Sequence, residues 1–146
     1  MKEAPQLAMA AKADLPAVKQ LLSRCGLPVD DVDRHIERFM VAKDQSGIVA
    51  VAGLQRAGPY ALLRSVAVAE ERRREGTAQR LCNALFARAK KDGVSRMYLL
   101  TTTAAKYFAN FGFEPVDRMA APAEITGTEE FAKLCPASAT VMVKTL

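Results

Sequence analysis

Apolar positions change period several times along this 146-residue chain, and each change marks a predicted element. Residues 7–11 form a short, mostly apolar stretch that reads as a first strand. Leu15, Val18, Leu21, Leu22 and Cys25 then recur at three- and four-residue steps, the face of a helix opened by Asp14 and Pro16 and closed by Gly26 and Pro28. Val32, Ile36 and Phe39 repeat that spacing over a shorter helix with Asp30 or Asp31 at its start. Its outer face carries Arg34, His35, Glu37 and Arg38. Residues 40–44 and 48–55 flank Gln45-Ser46-Gly47, the pattern of a hairpin.

The most informative stretch follows the break at Gly58-Pro59. Residues 60–68 read as a central strand, with Leu62, Leu63, Val66 and Val68 apolar and Arg64-Ser65 interrupting them. From Ala78 the period becomes helical through Leu81, Cys82, Leu85 and Ala89, and that helix runs to about Lys91 before Asp92-Gly93 ends it. Between strand and helix lies a basic turn, Arg72-Arg73-Arg74-Glu75-Gly76-Thr77. The first N–H groups of a helix lack internal partners and sit at the positive end of its dipole. A small-residue basic turn leading into a helix is therefore a candidate phosphate site. The alternative is an ordinary helix start after a surface turn.

Downstream, residues 97–102 predict a strand parallel to the central one, 104–111 a short helix stopped by Gly112, and 113–116 a strand. Residues 121–128 predict a loop, 129–134 a helical turn, and 139–144 the last strand. The order β-α-α-β-β-β-α-β-α-β-β is that of a mixed sheet covered by helices, an α/β fold. No repeat, low-complexity tract or linker appears, and residues 1–146 read as a single domain.

Composition narrows the classes. Half of the residues are apolar and a quarter are charged, an ordinary globular balance. No apolar run is long enough for a membrane span, and the opening Met-Lys-Glu-Ala-Pro lacks a signal peptide's apolar core. Cys25, Cys82 and Cys135 show neither disulfide nor metal-ligand spacing, so the expectation is a cytoplasmic protein without a metal. The net charge of +5 is concentrated at Arg72–Arg74 and at Arg88, Lys90 and Lys91, without the interleaved aromatics of a nucleic-acid surface. An anionic cofactor, or an anionic substrate, explains the excess as well, and so does solubility alone.

Arg73-x-x-Gly76-x-Ala78, placed after a strand, resembles the Arg/Gln-x-x-Gly-x-Gly/Ala signature of the GCN5-related N-acetyltransferases (GNAT). Tyr107-Phe108-Ala109-Asn110-Phe111-Gly112-Phe113-Glu114-Pro115 is similar to that family's later aromatic-x-x-x-Gly-Phe signature. Leu63-Arg64-Ser65-Val66-Ala67-Val68, Thr101-Thr102-Thr103-Ala104 and the run from Phe131 to Ala139 resemble the arsenic-resistance-associated branch, which acetylates the α-amine of arsenic- or phosphorus-containing glutamate analogues (arsinothricin or phosphinothricin type). The resemblance implies the GNAT fold, a mixed central sheet of about six to seven strands flanked by about four helices. It implies acetyl-CoA as donor, a small-molecule amine as acceptor, and direct attack in a ternary complex. A candidate homodimer follows from the same source, through a sheet edge at the C-terminus.

Site residues carry over position by position. The backbone of Val66, Ala67 and Val68 is expected along the pantetheine arm. The amides of Arg74, Gly76, Thr77 and Ala78 are expected at the diphosphate, with Arg72, Arg73 and Arg74 adding charge. A side chain at Gly76 would hold the phosphates off the helix end. Arg64 is costly inside an apolar strand unless it is paired or faces a cleft, and its planar fork suits a carboxylate or phosphinate. The resemblance implies that Arg64 holds the acceptor's acidic end. Ser65 beside it is a candidate for the same pocket rather than a nucleophile, and Thr101 and Thr102 are candidates to bind acceptor or pantetheine, or ordinary strand residues. The alternative for Arg64 is a structural pair with Glu37 or Glu114, and Thr103 reads as a helix cap.

Proton transfer is where the chain departs from the family pattern. The usual tyrosine position holds Phe108, expected instead to wall the acetyl group, and a tyrosine stands one residue earlier. One residue turns a helical side chain by about 100°. Either Tyr107 serves through a shifted helix, or the thiolate takes its proton from water. The central strand lacks the glutamate of histone-type members, leaving His35 as the candidate base and a water relay or a merely solvated histidine as the alternatives. Cys135 and Ser138 are candidates for lining the acceptor pocket, or packing in the case of Cys135. Competing functions are the same chemistry on another amine, such as a polyamine, aminoglycoside or protein N-terminus, and a non-catalytic acyl-CoA sensor.

Overall fold

The computed structural model describes residues 4–134 and 138–146. Seven strands, β1 (Gln6–Met9), β2 (Phe39–Asp44), β3 (Gly47–Ala57), β4 (Tyr60–Val68), β5 (Arg96–Thr101), β6 (Glu114–Val116) and β7 (Thr140–Thr145), lie in one sheet in the order β1-β2-β3-β4-β5-β7-β6. The helices are α1 (Leu15–Arg24), α2 (Val32–His35), α3 (Thr77–Lys91), α4 (Ala105–Ala109) and α5 (Ala123–Thr126). This is the mixed α/β architecture expected from the sequence. The chain divides into two compact units, one holding the residues up to Leu54 with Ser65–Ala87, the other Gln55–Arg64 with the residues from Arg88 onward.

In the first unit β1, β2 and β3 pair antiparallel, with Val41 opposite Val51. Val49, Ala50, Val51, Ala52 and Leu54 are all buried, so β3 is covered on both faces, as its unbroken apolar run requires. Gly53 has a steric reason: a Cβ there would run into the ring of buried Phe39. Helix α1 buries Val18, Leu21 and Leu22, and α3 buries Ala78, Leu81, Cys82, Leu85 and Phe86. Each fully buried leucine contributes roughly 1.5–3 kcal/mol relative to exposure.

Two caps differ from expectation. Asp14 does not cap α1; its carboxylate accepts from the Ala11 N–H at 2.8 Å and pairs with Lys43 at 3.0 Å. Asp31 stands at the start of α2, but its side chain makes no cap hydrogen bond and is buried.

In the second unit β4 and β5 pair in parallel, Tyr60 to Leu62 beside Arg96 to Tyr98. Strand β7 lies antiparallel to both β5 and β6. The C-terminal strand is therefore not a sheet edge, which corrects the expected pairing surface; the strand order leaves β1 and β6 outermost. Leu62, Tyr98, Ile125, Phe131 and Val141 form one core, with the Tyr60 and Tyr98 rings edge to face at 5.9 Å. Helix α5, read from sequence as loop, exists because Ile125 is drawn fully into that core.

Candidate active site

The candidate phosphate loop belongs to the first unit. After β4, a single 3-10 turn, Glu70–Arg72, leads to Arg73 and then to α3 at Thr77. Arg74 takes φ of 67° and Gly76 φ of 78°, so the chain turns twice through the left-handed region before the helix begins. A Cβ at Gly76 would meet no protein atom within 4 Å. Its positive φ, rather than crowding by the rest of the chain, is what glycine satisfies there. Arg74 adopts the same region without that freedom, a local strain of the kind that collects at functional loops.

The three arginines separate. Arg74 is exposed. Arg73 is exposed but tied back to the strand end, its Nε donating to the Val68 carbonyl at 3.1 Å and its Nη2 lying 3.8 Å from Cys25 Sγ. Arg72, expected to add charge for an anion, is instead 3% exposed. Its Nε and Nη2 reach Asp44 Oδ2 at 3.0 and 2.9 Å, and its Nη1 reaches Glu75 Oε1 at 3.0 Å. Thr77 and Ala78 are buried at the start of α3, while Val66 and Val68 are half-buried along β4 and Ala67 is buried.

Ser65 is buried and has φ of 56°, a left-handed residue within a strand. Hydroxyl chemistry did not foretell this. It is a backbone feature for which Ser-Val in a strand gives no signal.

In the second unit Arg64 is fully inward. Its Nη2 lies 3.0 Å from Glu130 Oε2, and its Nη1 donates to Gln55 Oε1 at 3.3 Å. The structural carboxylate is thus Glu130, not Glu37 or Glu114. Glu130 opens the π-helical turn Glu130–Leu134, whose neighbour Phe131 packs under the Arg118 guanidinium at 4.7 Å.

Thr101 Oγ1 accepts from the Ala104 N–H at 2.9 Å, so Thr101, rather than Thr103, closes the turn into α4. Thr102 and Thr103 are exposed, as is Ser138; Cys135 lies outside the described residues.

Phe108 is buried among Tyr107, Phe111 and Phe113, with ring centroids 5.3, 5.9 and 6.2 Å away. Tyr107 is 44% exposed and leans on Phe111 at 4.9 Å. His35 is not on a freely solvated face: its Nε2 is 3.8 Å from Oδ2 of Asp31, whose side chain is fully buried. Asp31, Asp44, Gln55, Glu75 and Glu130 were not singled out from sequence for these pairings. Apart from the three-residue step from Arg72 to Glu75 and the four-residue step from Asp31 to His35, nothing in the linear order announces them.

Among the described residues no group of three or more His, Cys, Asp or Glu is placed to hold a metal ion, and no helix is long and apolar enough to cross a membrane. Cys25 and Cys82 are free thiols.

A family model described as "Acetyltransferase (GNAT) domain" matches residues 35–115, more than half of the chain and including the basic turn and the aromatic segment. The amino-acid acetyltransferase of Pseudomonas fluorescens (strain Pf0-1) is 35% identical over 97 residues, which cover 62% of this chain and 22% of that protein. The chain thus spans under a quarter of that curated relative's length. Among solved structures, N-acetylglutamate synthase from Neisseria gonorrhoeae, complexed with coenzyme A and N-acetyl-glutamate, superposes with a TM-score of 0.84 at 19% identity, covering 100% of this chain and 36% of that one. Rv2747 from Mycobacterium tuberculosis, in complex with CoA, gives 0.82 at 21% identity, covering 97% and 99%.

The seven-stranded mixed sheet with the turn before α3 has the architecture of the GNAT fold. The chain belongs to the GNAT acetyltransferase family.

Proposed function

We propose that this chain is an acetyl-CoA-dependent N-acetyltransferase that moves the acetyl group to the α-amine of a small anionic amino acid, within a single domain spanning residues 1–146. The acceptor class is a glutamate analogue of the arsinothricin or phosphinothricin type, in a cytoplasmic detoxification role. The observation that carries the amino-acid acceptor is the 35% identity to an amino-acid acetyltransferase across 97 residues. Arg64 supports the anionic part. Its buried guanidinium already pairs with a carboxylate, that of Glu130, so the environment accommodates an oxyanion on that fork.

In this reading the loop 73–78 holds the donor's diphosphate through the amides of Arg74, Gly76, Thr77 and Ala78, with Arg73 beside them. The exposure of residues 73–76, the two left-handed turns and the place before a 15-residue helix fit an anion. The backbone of Val66, Ala67 and Val68 runs beside the pantetheine. Arg64, Ser65, Thr101 and Thr102 receive the acceptor, and Phe108 walls the acetyl group. The neutral amine forms the new N–C bond as the C–S bond breaks, the amine proton passes to water, and the departing CoA thiolate takes its proton from water. Free thiols at Cys25 and Cys82 accord with a reducing compartment. A homodimer is part of the reading, and its mass in solution tests it.

Thiol release from acetyl-CoA is the test, with a panel of acceptors comprising the two analogues, glutamate, methionine sulfone, spermidine and an aminoglycoside. Turnover confined to acidic acceptors, with KM raised in Arg64→Ala, supports the assignment. Turnover on polycations moves it to another amine. The aromatic residue at position 108, where the family places a tyrosine, favours one second reading, an acyl-CoA sensor. It predicts acetyl-CoA binding with no thiol release for any acceptor.

A further inference from the structure

One cluster beside the donor loop has no part in that chemistry. Arg72 stands in the most charged run of the chain, Glu70-Glu71-Arg72-Arg73-Arg74-Glu75, yet it alone of the six is buried. A guanidinium taken out of water is costly unless its donors are matched by carboxylates in good geometry. Here two of its nitrogens converge on Asp44 Oδ2 and a third reaches Glu75 Oε1, all within 2.9–3.0 Å. Asp44 is held in turn. Its Oδ1 accepts the Ser46 N–H at 2.8 Å and the Ser46 hydroxyl at 2.6 Å. The connection runs from the β2–β3 turn through Asp44 and Arg72 to Glu75, the residue immediately before Gly76.

We propose that Asp44, Arg72 and Glu75 form a clip that positions the loop 73–78 for the diphosphate of the acyl donor; this rests on the reading that the loop binds that diphosphate. Two physical effects would act together. The loop contains a strained left-handed Arg74 and a left-handed Gly76, a conformation that a free turn populates only in part. A brace on either side of Arg73-Arg74 keeps it populated, and preorganisation of this kind appears as affinity. The second effect is electrostatic. Glu75 is the only carboxylate between Arg72 and the first turn of α3, and an uncompensated negative charge there repels a diphosphate. Ion pairing with Arg72, which also serves Asp44, offsets part of it, and the exposed Arg73 and Arg74 supply the loop's remaining positive charge. Arg72 thus acts on the cofactor through the loop, as a positioning residue.

The experiment compares two donors, acetyl-CoA and S-acetylpantetheine, which lacks the diphosphate, in Asp44→Asn, Glu75→Gln and Gly76→Val. Asp44→Asn keeps the side-chain shape and is the mild variant if Arg72→Met does not fold. It is expected to raise the KM for acetyl-CoA by about fivefold or more, leaving kcat, the acceptor KM and the kcat/KM for S-acetylpantetheine unchanged. Glu75→Gln keeps the oxygen that Arg72 Nη1 reaches while removing the charge, so the acetyl-CoA KM is expected to stay the same or fall, and a rise would overturn the electrostatic part. An unchanged acetyl-CoA KM in Asp44→Asn overturns the clip, and so does an equal loss with both donors, which would mark a general brace of the fold. Gly76→Val separates the two levels: if it too leaves the acetyl-CoA KM untouched, the diphosphate reading of the loop is what has failed.

Discussion

Arg64 Nη2 and Glu130 Oε2 meet at 3.0 Å with the arginine side chain fully buried and the glutamate nearly so. A central-strand cation is matched by a carboxylate from a helical turn late in the chain. Removing one partner leaves the other charge buried, a loss of about 3–5 kcal/mol, whereas replacing both by apolar residues is close to neutral. Arg64→Met and Glu130→Leu are each expected to lower the urea midpoint strongly, and the double variant to recover most of it. Acceptor kinetics then separate stability from function: the recovered double variant is expected to lose acidic acceptors while keeping acetyl-CoA affinity.

Tyr107 is expected to be dispensable. Its ring is 44% exposed and packs on Phe108 and Phe111, and in the proposed chemistry the thiolate takes its proton from water. Tyr107→Phe should keep kcat within about threefold and leave the alkaline limb of the pH profile in place; a loss of about 100-fold or more would make it the general acid. His35 is tested in the same way. Its place beside buried Asp31 reads as a packing role, so His35→Gln should keep the acidic limb of kcat/KM.

Burial pushes the Cys82 thiol up to about 12. At pH 8 its thiolate is then on the order of one part in ten thousand, and the thiolate is the reactive form. Iodoacetamide followed by peptide mapping should find Cys82 unmodified in the folded protein and modified in urea, with half-buried Cys25 reacting ahead of it.

Three aspartates ionise more readily in the fold than outside it. Asp44 is held down mainly by the hydroxyl and amide of Ser46 and less by Arg72, Asp14 by the Ala11 amide and then Lys43, and Asp33 by Lys19, with burial opposing each. A carboxyl whose folded-state value is depressed contributes stability that is present above the unfolded value and lost as pH falls through the folded one. Stability from these groups should therefore be flat between pH 7 and 5 and fall below about pH 4. The urea midpoint followed against pH should fall less steeply in Asp44→Asn than in the parent.

Much of the fold was legible in the linear pattern. The hairpin around Gln45-Ser46-Gly47, strand β4 and the end of α3 near Lys91 fall where period and breakers placed them, because each depends on local spacing. Helix α5 escaped, since so short an element exists only through what Ile125 packs against; the helical turn near Glu130 was placed, though not its π form. The basic turn was legible as a unit; the different fates of its arginines were not. Consecutive residues of one type look alike in a sequence, while their side chains leave the backbone in different directions. One of them here meets Asp44 and Glu75, one the Val68 carbonyl, and one water.

Spacing and residue type were thus enough for the class of fold and a candidate anion-binding turn, because strand alternation, helical period and glycine's conformational freedom are short-range properties; the family was legible through the likeness of its motifs. Folding in three dimensions chose Glu130 as the partner of Arg64, turned Arg72 inward and set Thr101 rather than Thr103 at the turn into α4. It also placed β7 inside the sheet, with β6 beyond it. Long-range pairing is selected by which buried charge or strand edge must be satisfied once the core closes, and residues distant along the chain carry no local mark of that demand.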